Sequence, residues 1–133
     1  MRRVNVAKCL TVLRKLPVNV LACHCQECQK LSTSPFSVTA IVAAADIEFS
    51  GEMREWERQS ESGNRNIACF CLGCGNRIYH YDPADDGMVR LKLKPVGLDD
   101  CLMLKPTVHL WVSEKQPWYE IPEGVEMFQK QPY

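Results

Sequence analysis

Three cysteines stand within six residues, in Cys23-His24-Cys25-Gln26-Glu27-Cys28, and a second pair, Cys71-Leu72-Gly73-Cys74-Gly75, begins 43 residues after Cys28. Thiolates suit zinc, a borderline-soft metal that takes four ligands and imposes no geometry of its own. Three thiolates around zinc carry a net charge of about −1 and leave one coordination position for water or an incoming sulfur. An open position is where zinc does chemistry. The alternative is a closed structural site, with Cys69, Cys101 or His109 as fourth ligand. An iron–sulfur cluster needs a fourth cysteine at a recognised spacing, and none is present. A redox C-x-x-C is expected inside a βαβ pattern, which surrounds neither pair.

The second pair reads as a structural zinc knuckle, in which Gly75 lets the backbone turn under the sulfurs. Cys9 is the obvious third ligand, but Thr11, two residues on, is no zinc ligand, so the fourth is missing. His24 lies between two ligands, and its ring is expected to point away from them as a hydrogen-bonding or wall residue. His109 and Trp111 share one face of a strand by period-two spacing, with His109 read as a buried, hydrogen-bonded histidine. Cys69 and Cys101 read as small buried residues. Lys92 and Lys94 alternate with Leu91 and Leu93, the pattern of a solvated strand face. Contact with a substrate carboxylate is the second reading of these lysines.

The elements that must position these groups are short and mainly extended. Strands are predicted over 18–22, 36–42, 47–49, 53–58, 66–71, 77–81, 88–94 and 107–112 from period-two alternation and β-branched content. Ser50-Gly51-Glu52 reads as a hairpin turn, and Asp82 to Gly87 as a strong turn. Short helical turns are expected at Ala43 to Asp46 and near Gly124. The fold class is therefore mainly β, an antiparallel single domain over residues 1–133, with both cysteine groups at strand ends. The 133 residues suffice for a modest core. Sixteen basic and 16 acidic residues cancel, which leaves no electrostatic case for binding nucleic acid or an acidic membrane. No apolar run is long enough to span a bilayer. Lys8, Arg14 and Lys15 interrupt any run of signal-peptide length after Met1-Arg2-Arg3. Eight cysteines are a high count, and their clustering favours a reduced metal site over a disulfide scaffold. A cytoplasmic location follows.

The order of these motifs resembles the glutathione-dependent formaldehyde-activating (GFA) family, also called CENP-V/GFA. The matching segments are Cys23-His24-Cys25-Gln26-Glu27-Cys28-Gln29-Lys30, Ser34-Pro35-Phe36, Ser62-Gly63-Asn64, Phe70-Cys71-Leu72-Gly73-Cys74-Gly75, Gly97-Leu98-Asp99-Asp100, Pro106, His109-Leu110-Trp111 and Pro117-Trp118. Ile121-Pro122-Glu123-Gly124 and Phe128 resemble the family's tail, so the likeness spans about residues 15 to 132. The resemblance implies an Mss4-like fold of antiparallel β-sheets built around zinc-binding cysteine clusters, with two zinc ions. It implies that Cys23, Cys25 and Cys28 hold a catalytic zinc. It also implies that Cys71 and Cys74 share a structural zinc with an N-terminal C-x-C-G motif. The implied activity is that of a carbon–sulfur lyase, joining a thiol such as glutathione to formaldehyde or a related small aldehyde. The alternative is a non-catalytic, zinc-stabilised binding module. Two departures stand out. Of the N-terminal motif only Cys9 survives, which predicts a weakened second site, and Thr33 stands where the family carries glycine, which predicts a shifted loop beside the cluster.

Overall fold

The computed structural model describes residues 2–6, 9–15, 19–59, 63–85, 87–93 and 105–131. The strands are β1 (Arg2–Val6), β2 (Leu10–Leu13), β3 (Asn19–Cys23), β4 (Ser37–Ala43), β5 (Ile47–Ser50), β6 (Met53–Gln59), β7 (Arg65–Cys71), β8 (Arg77–Tyr81), β9 (Met88–Lys92), β10 (Val108–Leu110) and β11 (Glu126–Met127). A single α-helix among the described residues, α1 (Gln26–Ser32), follows β3, and 3-10 turns cover Ala44–Asp46 and Val112–Glu114. Three strands form one sheet in the order β1-β2-β5. Eight form the other, in the order β11-β10-β3-β4-β9-β8-β7-β6. The chain is mainly β and its neighbours are antiparallel, except that β10 runs parallel to both β3 and β11.

The period-two rule decides which side of the large sheet builds the core. Val20, Ala40, Leu91 and Tyr79 follow one another across four strands in register. These side chains turn toward the small sheet, where Leu13 and Ile47 meet Val20, Ala40, Val42, Val89, Leu91 and Leu93 in one buried cluster. A second cluster of Cys9, Cys71 and Ile78 adjoins it through Phe49 and Tyr79, whose rings stack 4.1 Å apart. The next register row, Leu21, Thr39 and Lys92, points to the other side. So does Ile41, Arg90, His80. One face of the large sheet holds the fold together, and the opposite face carries the polar groups.

Several expectations are met and several corrected. The strands begin and end within two residues of those expected from 18 to 81, and the 3-10 turn at Ala44–Asp46 was foreseen. The turn after β8 is an Asx turn, with the Asp82 carboxylate accepting from the Ala84 amide at 2.9 Å. The segments either side of Gly51 are not a hairpin: β5 pairs with β2 and β6 with β7, in different sheets. Alternation identifies a strand but not its partner, and Gly51, at φ 104°, turns the chain from one sheet into the other. The segment near Gly124 is a turn leading into β11, not a helical turn. β10 stops at Leu110 because Trp111 enters the left-handed region at φ 58°, so His109 and Trp111 do not share a strand face. Lys94 and Cys101 lie outside the described residues.

Leu91 is fully buried at the centre of the main cluster. Leu91→Ala is expected to lower unfolding free energy by about 2–5 kcal/mol, measured by chemical denaturation. A change within about 0.5 kcal/mol would show that the core does not centre on β9.

Candidate metal centre

Cys23 is the last residue of β3, Cys25 caps α1, and Cys28 sits in its first turn. This local sequence brings all three sulfurs to one point. The strand, paired on both sides by β10 and β4, ends at Cys23, and α1 follows directly with Cys25 and Cys28. The three Sγ atoms lie within 4.8 Å of one another. A tetrahedral thiolate site with metal–sulfur bonds of about 2.3 Å needs sulfurs at such spacing, so the residues fit the metal that the sequence implies. Among the described residues no other set of three histidine, cysteine or acidic ligands meets that spacing. Cys69 sits instead within 3.9 Å of the Glu55 carboxylate, and His109 is bound to His24.

The helix is fastened on three sides. The Cys28 amide donates to Cys25 Sγ at 3.4 Å. The Gln29 side-chain amide donates to the His24 carbonyl at 2.6 Å and to the Glu114 carbonyl at 2.9 Å, while its oxygen accepts from Gln116 at 2.8 Å. One residue thus ties α1 to the loop before it and to the segment after β10. Beneath the loop, His24 is fully buried, with its ring against Phe36, His109 and Tyr119 and away from the sulfurs. His24 Nε2 and His109 Nδ1 are 2.8 Å apart. His24 Nδ1 is buried without a partner, and a bare lone pair is tolerated better there than an N–H, which assigns the shared proton to His24 Nε2 as donor. Burial and the neighbouring His109 hold His24 in the neutral form, with its pKa lowered to about 4.

The sulfurs titrate as one unit. Contact with Cys23 and Cys25 pulls the Cys28 thiol down, with help from the Lys92 charge and the Ser37 hydroxyl. Cys23 is raised by hydrogen bonding to Cys25 and Cys28 and by burial. For Cys25, contact with Cys23 lowers, but contact with Cys28 and burial raise, and the balance is upward.

Two cations face this cluster from the large sheet. Lys92 is 2% exposed and Arg77 5%. Lys92 was expected on a solvated face, but it is buried and lines the cleft beside the three cysteines. Its ammonium donates to Thr39 Oγ1 at 2.7 Å. Burial lowers its pKa to about 8, and the Cys28 charge opposes that loss. Arg77 reaches the same side through a bulge: Cys69 pairs with Tyr79 and Phe70 with Arg77, leaving Ile78 as the extra residue. Ile78 and Tyr79 both enter the core, so Arg77 is turned toward Cys28, whose thiolate offsets the burial penalty on the guanidinium. The flanking leucines could have flagged Lys92 as lying in a wholly buried stretch. Nothing in the sequence announces the bulge.

A cleft of about 350 Å³ opens in front of the sulfurs, with Arg58, His80, Arg90 and Trp111 along its walls. Burial, then the Lys92 and Arg77 charges, hold His80 neutral.

The second cysteine group is less complete. Cys71 and Cys74 flank the turn expected there, with the Gly75 amide donating to the Cys71 carbonyl at 2.8 Å and Gly75 at φ 76°. Cys9 lies beside Cys71: contact with Cys9 lowers Cys71 to about 7, and burial raises Cys9 to about 11. Cys9 Sγ donates to the Glu52 carbonyl at 3.3 Å. Cys9 and Cys71 are buried and Cys74 is exposed. Among the described residues this donor set lacks a fourth ligand and the spacing found at Cys23, Cys25 and Cys28, so no chemistry is derived through it.

Residues 7–114 match the family described as glutathione-dependent formaldehyde-activating enzyme. The chain belongs to that family. A search of curated proteins gave no match. Family membership carries glutathione-dependent formaldehyde activation as the activity of the group. Among the described residues, no helix is long and apolar enough to cross a membrane.

The loop after α1 is where this member was expected to depart. Thr33 caps the helix in the left-handed region at φ 52°, ψ 43°, with its amide bonded to the Gln29 carbonyl. The backbone therefore takes the conformation that glycine adopts freely, and the β-branched side chain carries the strain. Thr33→Gly is expected to stabilise the protein by about 1 kcal/mol, read as a higher denaturation midpoint with an unchanged slope. A destabilisation of that size would show the strain to be absent.

Proposed function

We propose that this protein is a zinc-dependent carbon–sulfur lyase that joins a small thiol, such as glutathione, to formaldehyde or a related small aldehyde. The observation that carries the reading is the convergence of Cys23, Cys25 and Cys28 Sγ within 4.8 Å at the wall of a cleft of about 350 Å³. Three ligands and an accessible fourth side suit catalysis rather than a closed structural site. Zinc held by these cysteines supplies a positive centre that keeps a thiol deprotonated at neutral pH.

The residues of the chain divide the remaining work. Cys23, Cys25 and Cys28 are the ligands. Gln29 holds α1 against the loop, which fixes the angle at which Cys28 meets the other two. The cleft admits thiol and aldehyde side by side, and Arg58 and Arg90 give it polar anchors for a charged substrate. In the overall reaction a carbon–sulfur bond forms, the carbonyl π bond opens, and the proton lost by the thiol is matched by one gained at the new hydroxyl. A cytoplasmic setting belongs to the same proposal, since the seven described cysteines are all free thiols and such thiols persist in reducing compartments.

The test is the rate at which glutathione and formaldehyde interconvert with S-hydroxymethylglutathione, followed by NMR exchange with zinc-loaded protein. Acceleration over the protein-free rate is expected, lost by about a hundredfold or more in Cys28→Ser. Zinc-loaded protein that leaves the exchange at its spontaneous rate would overturn the reading and favour a zinc-stabilised binding module.

A further inference from the structure

The polar face of the large sheet carries a row of side chains beyond the cysteines. In register, Arg90 on β9 stands opposite His80 on β8 and, on its other side, Ile41 on β4. Leu21, Thr39 and Lys92 form the adjacent row on that face, and Cys23 follows at the end of β3. Arg90 and the three cysteines line one cleft. Residues on one face repeat about every 6.7 Å along a strand, and strands lie about 4.8 Å apart. Two such repeats and two strands put the Arg90 backbone roughly 16 Å from that of Cys23. The arginine side chain spans part of that distance, and the rest fits a ligand several bonds long.

Within the cleft, two arginines on neighbouring strands differ in how they are paired. Arg65 holds Glu57 across both prongs of its guanidinium, at 2.7 and 2.8 Å. Arg90 has Asp85 at 3.9 Å, too far for a hydrogen bond, and that carboxylate is half exposed. Its Nη1 is buried with no hydrogen-bond partner, while 27% of the side chain remains exposed. Ile41 brings no acceptor to this row, and His80 Nδ1 is likewise buried and unpartnered. The acidic residues along the cleft have partners of their own. Glu27 pairs with Lys30 at 3.3 Å, Glu114 accepts from the Gln26 amide at 2.8 Å, and Asp82 accepts from the Ala84 amide at 2.9 Å. A guanidinium offers its N–H groups as a planar fork that matches a carboxylate. Arg65 shows that fork filled, and Arg90 shows it open toward the cleft.

We infer that Arg90 binds a carboxylate of the substrate, and so selects a thiol whose carboxylate lies several bonds from its sulfur over a neutral thiol. The inference rests on the functional reading above and narrows its substrate to acidic thiols of peptide length. The sulfur takes the cysteine end of the cleft, and the carboxylate accepts from the Arg90 fork. A thiol as short as 2-mercaptoethanol occupies one end and gains nothing from the other. Arg90 touches the substrate but not the reacting atoms, so it sets specificity.

The experiment is calorimetric titration of zinc-loaded protein with S-methylglutathione and with its diethyl ester. The blocked sulfur separates carboxylate binding from chemistry at the cysteines. Wild type is expected to bind the acid about tenfold or more tightly than the ester. Arg90→Gln is expected to lose that preference, and Arg90→Lys to recover only part of it, because an ammonium lacks the fork. If Arg90→Gln does not fold, the comparison of acid with ester in wild type still decides the matter. Equal binding of the two by wild type, no binding of either, or an unchanged preference in Arg90→Gln would overturn the assignment. The functional reading would then stand wherever exchange of glutathione with formaldehyde is still accelerated. Binding of the acid that depends on Arg90, with no acceleration of that exchange, would do the reverse.

Discussion

The structure depends on one electrostatic constraint: three sulfurs held within 4.8 Å of one another. Thiolates so close repel, and neutral thiols so close waste their burial, so the arrangement is stable only with positive charge supplied at the same place. The chain brings one cation close: Lys92, on β9, is buried and lines the same cleft as the three cysteines. β3 delivers Cys23 at its end, α1 folds Cys25 and Cys28 back over it, and the large sheet presents its polar face beneath. A mainly β fold serves this purpose because alternation separates two jobs on the same strand. Leu91 holds the core while Lys92, the next residue, serves the centre.

The same constraint explains the rigidity around the motif. Gln29 and the His24–His109 pair contribute nothing to the sulfurs directly, yet they fix the backbone on both sides of the three cysteines. His109 reaches His24 because β10 runs parallel to β3, pairing His109 with Ala22 and Leu110 with Cys23. The two parallel pairings among the described strands, of β10 with β3 and with β11, both involve β10. The left-handed backbone at Thr33 closes the same loop on its far side. Ligands that must meet within a few tenths of an ångström are better held by hydrogen-bonded backbone than by long side chains.

How much of this was legible in the sequence follows from distance along the chain. Cys23, Cys25 and Cys28 are local, and their spacing alone brought them together. The knuckle at Cys71 and Cys74 was equally legible, because Gly75 marks its own turn. Strands such as β4 and β7 announced themselves through β-branched and apolar alternation. What failed was pairing. Nothing in Ile47–Ser50 or Met53–Gln59 says that they join different sheets, since partner choice is set by long-range contacts. The helix over 26–32 was hidden because about two turns carry little periodicity, and Trp111 ended β10 through a backbone angle no residue type announces. Lys92 was placed on the right face and given the wrong surroundings, for what covers a face is a property of the tertiary fold. The burial of Arg77 was equally hidden, because a bulge at Ile78 shifts the alternation by one residue.

The central claim, that the Cys23, Cys25 and Cys28 sulfurs form one metal-holding, anionic centre, is tested most directly by the metal content of protein purified under reducing conditions without added metal. The account predicts a tightly held zinc ion that survives dialysis in wild type and is lost from Cys28→Ser, with the β-sheet signal retained. Wild-type protein that carries no metal under these conditions, or a Cys28→Ser variant that keeps the same zinc content as wild type, would contradict it.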